Sequence, residues 1–298
     1  MIQHSLIFIH GMGVGDPNQS YEELWKLIAS HYEEIHHLDS GRFNQLFKPV
    51  FINYKDVTFG AKKHIFESAF PNLGAYEPTP WDVVNPIRPL RYFITFFLGD
   101  VTAYVSENDN NIRSTFWKQV KTTVVDGHYS IIAHSLGSII AFDFLYNLLE
   151  DSNLFLPSSN GKQTEEFNNE VKEFNNNLDK IKGNFRNLFT FGSTIGLFMM
   201  RKGTLWKNEA SFSDIINPIH QLDDEQILHS WLNFYDNEDI LSYPLNNLFN
   251  RNATNANRAL KDIEIQTGNL VIDSHTSYWK NNEMAASIAK TLGGADIA

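Results

Sequence analysis

Cysteine is absent from this 298-residue chain, which excludes a disulfide framework and any thiolate chemistry. The first residues, Met1-Ile2-Gln3-His4, carry neither the basic segment nor the long apolar segment of a signal peptide. No run approaches the roughly 18 apolar residues that a membrane-spanning helix needs. We therefore expect a cytoplasmic protein without a transmembrane segment.

Positive charge is also scarce. The chain has 24 Lys and Arg against 35 Asp and Glu, which gives a formal net charge of -11. Nucleic acids and anionic membranes are bound by clustered Lys and Arg, so we expect no nucleic-acid partner. Hydrophobic residues make up 42% of the sequence, which is typical of a globular protein with a substantial core.

Short apolar strands alternate with longer helical segments, a pattern typical of an α/β fold with a mostly parallel sheet. The predicted strands are Ser5–Ile9, Pro49–Tyr54, Tyr129–Ile132, Phe185–Phe191, Trp231–Tyr235 and Asn269–Ile272. Two of the helices are predicted over Tyr21–His37 and Glu283–Thr291. Because the strands form one continuous series without an internal repeat, we expect a single domain over residues 1–298.

Two insertions interrupt this series. Residues 57–127 contain a stretch rich in proline and aromatic residues and the apolar run Tyr92–Leu98, so we expect a helical cap over a site. The run itself has two interpretations: a buried helix, or a surface that lines an acyl pocket or touches a bilayer. Residues 151–183 are rich in Asn, Ser, Lys and Glu and predict a solvated excursion.

The most informative segment is Ala133-His134-Ser135-Leu136-Gly137, which lies between an apolar strand and a helix-like run. A strand, a tight turn with serine at its apex and a helix form a nucleophile elbow. Such a turn needs small residues where strand and helix nearly touch, and Ala133 and Gly137 meet that need. A serine hydroxyl is a weak nucleophile, so the elbow predicts a general base and an oxyanion hole nearby.

The first predicted strand ends in a glycine-rich turn, His10-Gly11-Met12-Gly13-Val14-Gly15-Asp16. Its backbone can turn amide groups towards a developing oxyanion, so we expect the amides of Met12 and Leu136 to form the hole. Gly11 and Gly13 are predicted to contact the substrate. Two other interpretations stay open: a phosphate-binding loop, although the spacing G-x-G-x-x-G is not met, and a turn without function.

The general base and its acid are expected in loops that follow later strands, in the order Ser, Asp, His. His275 follows the last predicted strand and would take the proton from Ser135. Asp239 would orient the imidazole, although Asp236 and Glu238 lie within three residues of it. His134 adjoins the serine but points elsewhere on the elbow, so we interpret it as structural.

A metal site is not predicted. The segment from His31 to His37 is dense in His and Glu, but it lacks the spacing His-Glu-x-x-His. On a helix these side chains spread around most of the circumference, which favours a solvated face. We therefore expect no metal and no cofactor.

Taken together, the turn at His10, the elbow, Asp239 and His275 resemble the serine esterases and lipases of the α/β-hydrolase superfamily. Further segments are similar to motifs of DDHD-type intracellular phospholipases and their bacterial relatives. Phe191–Phe198 is similar to their Gly-Ser-Pro-Leu-Gly segment, and Asp239–Tyr243 resembles Asp-Pro-Val-Ala-Tyr. His275–Trp279 resembles His-x-x-Tyr-Trp, and Gly99-Asp100-Val101 with Tyr104 is similar to a Gly-Asp-Val helix.

The chain departs from these relatives at several positions. Ala133 replaces the first elbow glycine, and Thr194 and Ile240 stand where the relatives have proline. The sequence starts at the strand that carries His10, so the resemblance implies a compact sheet without the two leading strands of a full-sized hydrolase.

The resemblance implies an α/β-hydrolase fold and cleavage of carboxylic esters through an acyl-enzyme, with a small-molecule or lipid ester as substrate. Phospholipid as the substrate is an implication of the resemblance alone, and transient membrane contact stays open. Two alternatives remain: transfer of the acyl group to an alcohol by the same residues, and a protein-binding module that kept the fold without its activity. The pattern predicts no particular oligomeric state.

Overall fold

A computed structural model describes residues 3–11, 17–69, 95, 99–105, 111–149, 165–198, 231–249, 260–268 and 271–293. Six strands form one parallel sheet in the order β2-β1-β3-β4-β5-β6. They are β1 His4–Ile9, β2 Phe47–Ile52, β3 Tyr129–His134, β4 Phe185–Phe191, β5 Trp231–Tyr235 and β6 Leu260–Glu264. The predicted α/β class with a mostly parallel sheet is confirmed.

The α-helices described between and beyond these strands are, in chain order, α1 Pro17–Ile35, α2 Phe43–Leu46, α3 Lys55–Ala69, α4 Asn111–Asp126, α5 Leu136–Leu149, α6 Glu165–Asn176, α7 Leu178–Asn184, α8 Ile195–Phe198, α9 Asn246–Phe249, α10 Val271–Thr276 and α11 Asn282–Leu292. A 3₁₀ turn, Ser277–Lys280, joins α10 to α11. Within the described residues, no helix is long and apolar enough to cross a membrane.

Both faces of the sheet are covered, which explains why its inner strands consist mainly of buried apolar residues. Successive side chains of a strand point to opposite faces, so Ile7 and Ile9 enter one core while Leu6 and Phe8 enter the other. The first core contains the apolar faces of α4 and α5, and the second contains those of α1 and α11. The sheet is therefore a rigid layer between two sets of helices.

The order of the strands reverses direction at β1. The chain passes from β1 outwards to β2, then returns to the other side of β1 for β3 and continues outwards to β6. In open parallel sheets, ligands bind at the carboxyl ends of the strands where the order reverses in this way. Here those ends are His10 after β1 and Ser135 after β3.

The strand predicted over Asn269–Ile272 is wrong where the structure describes it, because Val271 and Ile272 begin α10. The last strand is β6, Leu260–Glu264, which pairs with β5 at the edge of the sheet. Its sequence, Leu-Lys-Asp-Ile-Glu, carries three charged residues. An edge strand is covered less fully than a central one, so the apolar signal that identifies buried strands is weak here.

Both predicted helices named above are confirmed, with shifted ends. α1 begins at Pro17, because proline is favoured in the first helical turn, and it ends at Ile35. α11 begins at Asn282, after Asn281, whose side chain accepts a hydrogen bond from the Met284 amide at 2.8 Å.

Parts of both insertions belong to the body of the fold. α4 buries Phe116, Trp117 and Val120 in the first core and leads into β3. α6 and α7 bury Phe174 and Ile181 in the same core, while Glu165, Glu166, Asn168 and Asn169 of α6 are exposed. The apolar run Tyr92–Leu98, apart from position 95, and residues 151–164 lie outside the described residues, so the cap stays a prediction.

The start of α5 packs closely against the end of β1. A Cβ atom at Gly137 would lie 2.5 Å from the carbonyl oxygen of Ile9 and 2.6 Å from that of His10. A Cβ atom added at Gly60, in the middle of α3, would have no described atom within 4 Å apart from the neighbouring backbone of its own helix. The two glycines therefore differ in what they permit, although both lie in helices.

We expect Gly137→Ala to lower the free energy of unfolding by about 1–3 kcal/mol, because two backbone segments would have to separate. The matched change Gly60→Ala should raise it by about 0.5–1 kcal/mol through helix propensity. Urea denaturation of the two variants measures both effects. Equal stability of Gly137→Ala and the wild-type protein would contradict the close approach.

Candidate active site

Ser135 occupies a turn one residue long between β3 and α5. Its φ angle is 53°, in the left-handed region that non-glycine residues rarely adopt. The turn is held by hydrogen bonds: Ser135 N donates to the carbonyl of Phe191 at 3.1 Å, and Ser135 O accepts from Ser138 N at 2.9 Å. A strained, well-supported residue of this kind is common at functional sites.

The hydroxyl of Ser135 lies beside His275, and His275 lies beside Asp239. Ser135 Oγ is 2.8 Å from His275 Nε2, and His275 Nδ1 is 2.8 Å from Asp239 Oδ2. A carboxylate can only accept, so Nδ1 carries the proton and Nε2 offers a lone pair to the hydroxyl. We call these three residues the Ser–His–Asp cluster. All three are at least 98% buried.

Asp239 is fixed by further hydrogen bonds. Its Oδ1 accepts from the amide of Leu241 at 3.0 Å, and its Oδ2 accepts from the hydroxyl of Tyr278 at 3.1 Å. Tyr278 in turn accepts from the amide of Asp236 at 3.0 Å. Burial, and then the charge of Asp239, raise the pKa of Tyr278, so its hydroxyl remains a donor. The carboxylate therefore has one available orientation towards His275.

Asp236 has a different role from Asp239. Its carboxylate accepts from Glu238 N at 2.9 Å and from Thr267 N and Oγ1 at 2.6 and 2.8 Å, which ties two loops together. Burial acts to raise the pKa of Asp236, but these hydrogen bonds outweigh it and lower the pKa. Glu238 is exposed. Among these three acidic residues, Asp239 is the one that the structure brings to His275.

The loop that carries Asp239 is anchored by polar residues inside the sheet. Asn233 Nδ2 donates to Tyr243 O at 3.0 Å and to Asp262 Oδ1 at 2.8 Å. Asp262 also accepts from the amides of Leu245 and Asn246 at 2.9 and 2.7 Å. These contacts hold the C-terminal end of the loop, residues 243–246, against β5 and β6. Sequence reasoning missed them, and the only signal was a polar residue inside an apolar strand.

On the opposite side of Ser135, β1 ends at Ile9 and is followed by His10 and Gly11. A Cβ atom at Gly11 would overlap Ser135 Cβ and lie 2.9 Å from its Oγ, so only glycine allows the backbone to pass this close. Leu136 is buried and begins α5, where the first amides of the helix have no partner within it. Met12 and Gly13 lie outside the described residues, so their predicted contacts are not placed.

Two tyrosines hold the backbone of His10. Tyr21 OH accepts from His10 N and donates to the carbonyl of Ile52, both at 2.7 Å. Tyr54 OH donates to His10 O at 2.6 Å, and its ring stacks on the imidazole of His10 with centroids 4.3 Å apart. Neither tyrosine was predicted to take part, because each reaches the site from a distant helix or loop.

Residues 99–105, which carry the Gly-Asp-Val motif, are helical and are attached to the fold by buried polar contacts. Asp100 accepts from Lys62 Nζ at 2.5 Å and from the Thr58 hydroxyl. Tyr104 OH donates to Asp143 Oδ2 at 2.7 Å on α5. The motif therefore connects α3 and α5 beside the site.

No protein-family model matches the chain, and no curated protein matches its sequence. The assignment of the site therefore depends on the contacts described above. In the described part of the chain, no group of three or more His, Asp or Glu side chains could hold a metal ion.

Two histidines of the site are buried without charge. Burial lowers the pKa of His10 from 6.5 to about 4, and burial together with the adjacent His275 lowers the pKa of His134 well below its usual value. The unfolded chain binds a proton at His10 below about pH 6.5, whereas the folded protein does so only near pH 4. The free energy of unfolding therefore decreases as the pH falls through this window.

Through His10, the free energy of unfolding of the wild-type protein should decrease by about 3 kcal/mol between pH 7 and pH 4. We expect this contribution to be absent in His10→Asn, because asparagine does not titrate. His37→Asn is the control, because His37 is exposed and has a φ of 53° that asparagine tolerates. Urea denaturation across this pH range measures the difference. The same pH dependence in His10→Asn and the wild-type protein would show that His10 does not titrate as described.

Proposed function

We propose that this protein is a serine hydrolase that cleaves carboxylic esters through an acyl-enzyme intermediate. The observation that carries the proposal is the Ser–His–Asp cluster, with both hydrogen bonds at 2.8 Å and Ser135 on a left-handed turn. Similar constellations activate serine in unrelated folds, where they are recognised by geometry and role.

In the proposed reaction, Ser135 Oγ attacks the carbonyl carbon of the ester while His275 Nε2 takes the hydroxyl proton. Asp239 stabilises the imidazolium that forms. The carbonyl π bond breaks, and its electron pair becomes an oxyanion that the amides of Met12 and Leu136 would hold. One such donor contributes about 2.7–4 kcal/mol of transition-state stabilisation.

Collapse of this intermediate breaks the ester bond, and His275 gives its proton to the departing alkoxide, which leaves as an alcohol. A water molecule then attacks the acyl-enzyme while His275 takes one of its protons; the bond from the acyl carbon to Ser135 Oγ breaks, His275 returns the proton to Oγ, and the acyl group leaves as a carboxylic acid. The same base serves both halves, so a single site suffices. No redox step is involved.

We further propose the α/β-hydrolase fold and a lipid or phospholipid acyl ester as substrate. The chain order Ser135, Asp239, His275 and the strand, serine and helix of the elbow are those of α/β-hydrolases. The resemblance to DDHD-type phospholipases includes Tyr278, whose hydroxyl contacts Asp239, which gives that motif tyrosine a physical purpose here. The predicted cap over 57–127 would shape the pocket.

Ser135→Ala should lower kcat for a short-chain chromogenic ester by about 10⁴-fold or more, because the attacking atom is removed. It should also abolish labelling by a fluorophosphonate probe, read by mass spectrometry of the labelled peptide. Ser130→Ala is the matched control: Ser130, on β3, has its Oγ 2.9 Å from Nε2 of His4 on β1, but it donates its proton to Asn187 Oδ1. This variant should keep both activities.

Full activity of Ser135→Ala would contradict the mechanism. No labelling of the wild-type protein at Ser135 would favour the protein-binding module instead. If an alcohol is added and the acyl group is recovered as its ester rather than as the free acid, the acyltransferase would be favoured.

The two aspartates can be distinguished by rate and stability. Asp239→Asn should reduce kcat by about 10⁴-fold, because the imidazole loses its orienting charge. Asp236→Asn should leave kcat close to the wild-type value and lower the free energy of unfolding by about 1–3 kcal/mol, because the Thr267 contacts are disturbed. Steady-state kinetics and urea denaturation measure both, and the reverse order of the effects on kcat would reassign the acid.

A further inference from the structure

His134 and Ser135 are consecutive residues, and both hold His275. Ser135 Oγ contacts the imidazole of His275, while His134 Nε2 lies 2.8 Å from the backbone oxygen of the same residue. A carbonyl oxygen can only accept, so His134 Nε2 carries the proton and donates. The elbow therefore contacts His275 at two points, one on its side chain and one on its backbone.

The ring of His134 has a single well-defined place. It is 97% buried and stacks on Phe191 of β4 with centroids 5.1 Å apart and an interplanar angle of 24°. Trp279 meets it edge-on at 5.5 Å, and the ring of His275 lies 4.8 Å away. These neighbours come from two separate parts of the chain, β4 and the segment that carries His275 and Trp279, so packing fixes the direction of the Nε2–H bond.

His275 needs such a contact because its own element is short. It lies in the last turn of α10, which has only six residues, and a helix of this length is not stable by itself. Thr267 Oγ1 lies 2.7 Å from the Ser274 carbonyl and 2.8 Å from Asp236 Oδ2, so its single proton is shared between the two acceptors, and the residue before His275 is held against another loop. The hydrogen bond from His134 instead fixes the backbone of His275 relative to the elbow.

We infer that His134 is a positioning residue: its Nε2–H group sets the distance between His275 Nε2 and Ser135 Oγ. The inference rests on the proposed function, and it corrects the interpretation of His134 as merely structural. A shift of about 1 Å in a reacting group can reduce a rate by about 100-fold. The neutral ring also avoids a second positive charge beside His275 when that residue is protonated.

The test compares two substitutions at position 134. His134→Leu keeps an apolar side chain but removes the donor, and it should reduce kcat and the rate of fluorophosphonate labelling by about 10- to 100-fold, with KM little changed. His134→Gln places an amide N–H at a similar reach and should restore most of both rates. Its pH profile of kcat/KM should match that of the wild-type protein, because His134 does not titrate in the active range.

Phe189→Leu is the packing control. Phe189 is fully buried on β4 two residues before Phe191, and no hydrogen bond joins its side chain to the site. It should lower stability while kcat remains unchanged. If His134→Leu behaves like Phe189→Leu, or if a folded His134→Gln loses as much kcat as His134→Leu, the positioning role is wrong.

A spectroscopic measurement separates this inference from the proposed function. The proton that His275 Nδ1 shares with Asp239 should give a low-field NMR signal at the same position in the wild-type protein and in His134→Gln, and at a shifted position in His134→Leu. A shifted signal in His134→Leu would support positioning even if the wild-type protein cleaved no ester. An unchanged signal in His134→Leu would overturn the inference while leaving the proposed hydrolase intact.

Discussion

The backbone of Ser135 turns through the left-handed region because β3 ends and α5 begins within one residue, directly against the end of β1. This turn has little space: Gly137 lies on the carbonyls of Ile9 and His10, and Gly11 lies on the serine side chain. Strain of about 1–3 kcal/mol at such a residue persists only where the surroundings determine it. The parallel pairing of β3 with β1 on one side and β4 on the other supplies those surroundings.

Around the turn, the fold is held by hydrogen bonds from side chains to distant backbone groups. Tyr21 and Tyr54 hold the end of β1, Tyr278 and Asn233 hold the loop of Asp239, and His134 holds His275. Each of these groups is buried or half-buried, where an unmade hydrogen bond costs about 1–3 kcal/mol. The loops at the carboxyl end of the sheet therefore have few alternative arrangements.

The sequence was sufficient to predict the elements whose signals are local. Central strands are rich in apolar residues, and the turn at Ser135 is recognisable from its small neighbours and its place between a strand and a helix. Asp239 and His275 could be proposed because they follow one another after later strands in a known order. The structure brings all three together.

What the sequence could not predict depends on contacts between distant residues. The tyrosines resemble ordinary core residues until their hydroxyl partners are known, and His134 differs from a packing residue only by one hydrogen bond. The edge strand β6 was missed because charged residues dilute its apolar pattern, and the nearby Val271 and Ile272 gave a false strand signal. Tertiary pairing decided both cases, rather than local propensity.

The central claim is that Ser135 becomes covalently acylated during turnover. The most direct test is rapid acid quenching of the protein with a slowly hydrolysed activated ester, followed by intact-mass and peptide mass spectrometry. The account predicts a transient adduct, equal in mass to the acyl group that replaces one hydrogen, on the peptide that contains Ser135. Ester turnover without any such adduct, or an adduct on another residue that turns over at the rate of catalysis, would contradict it.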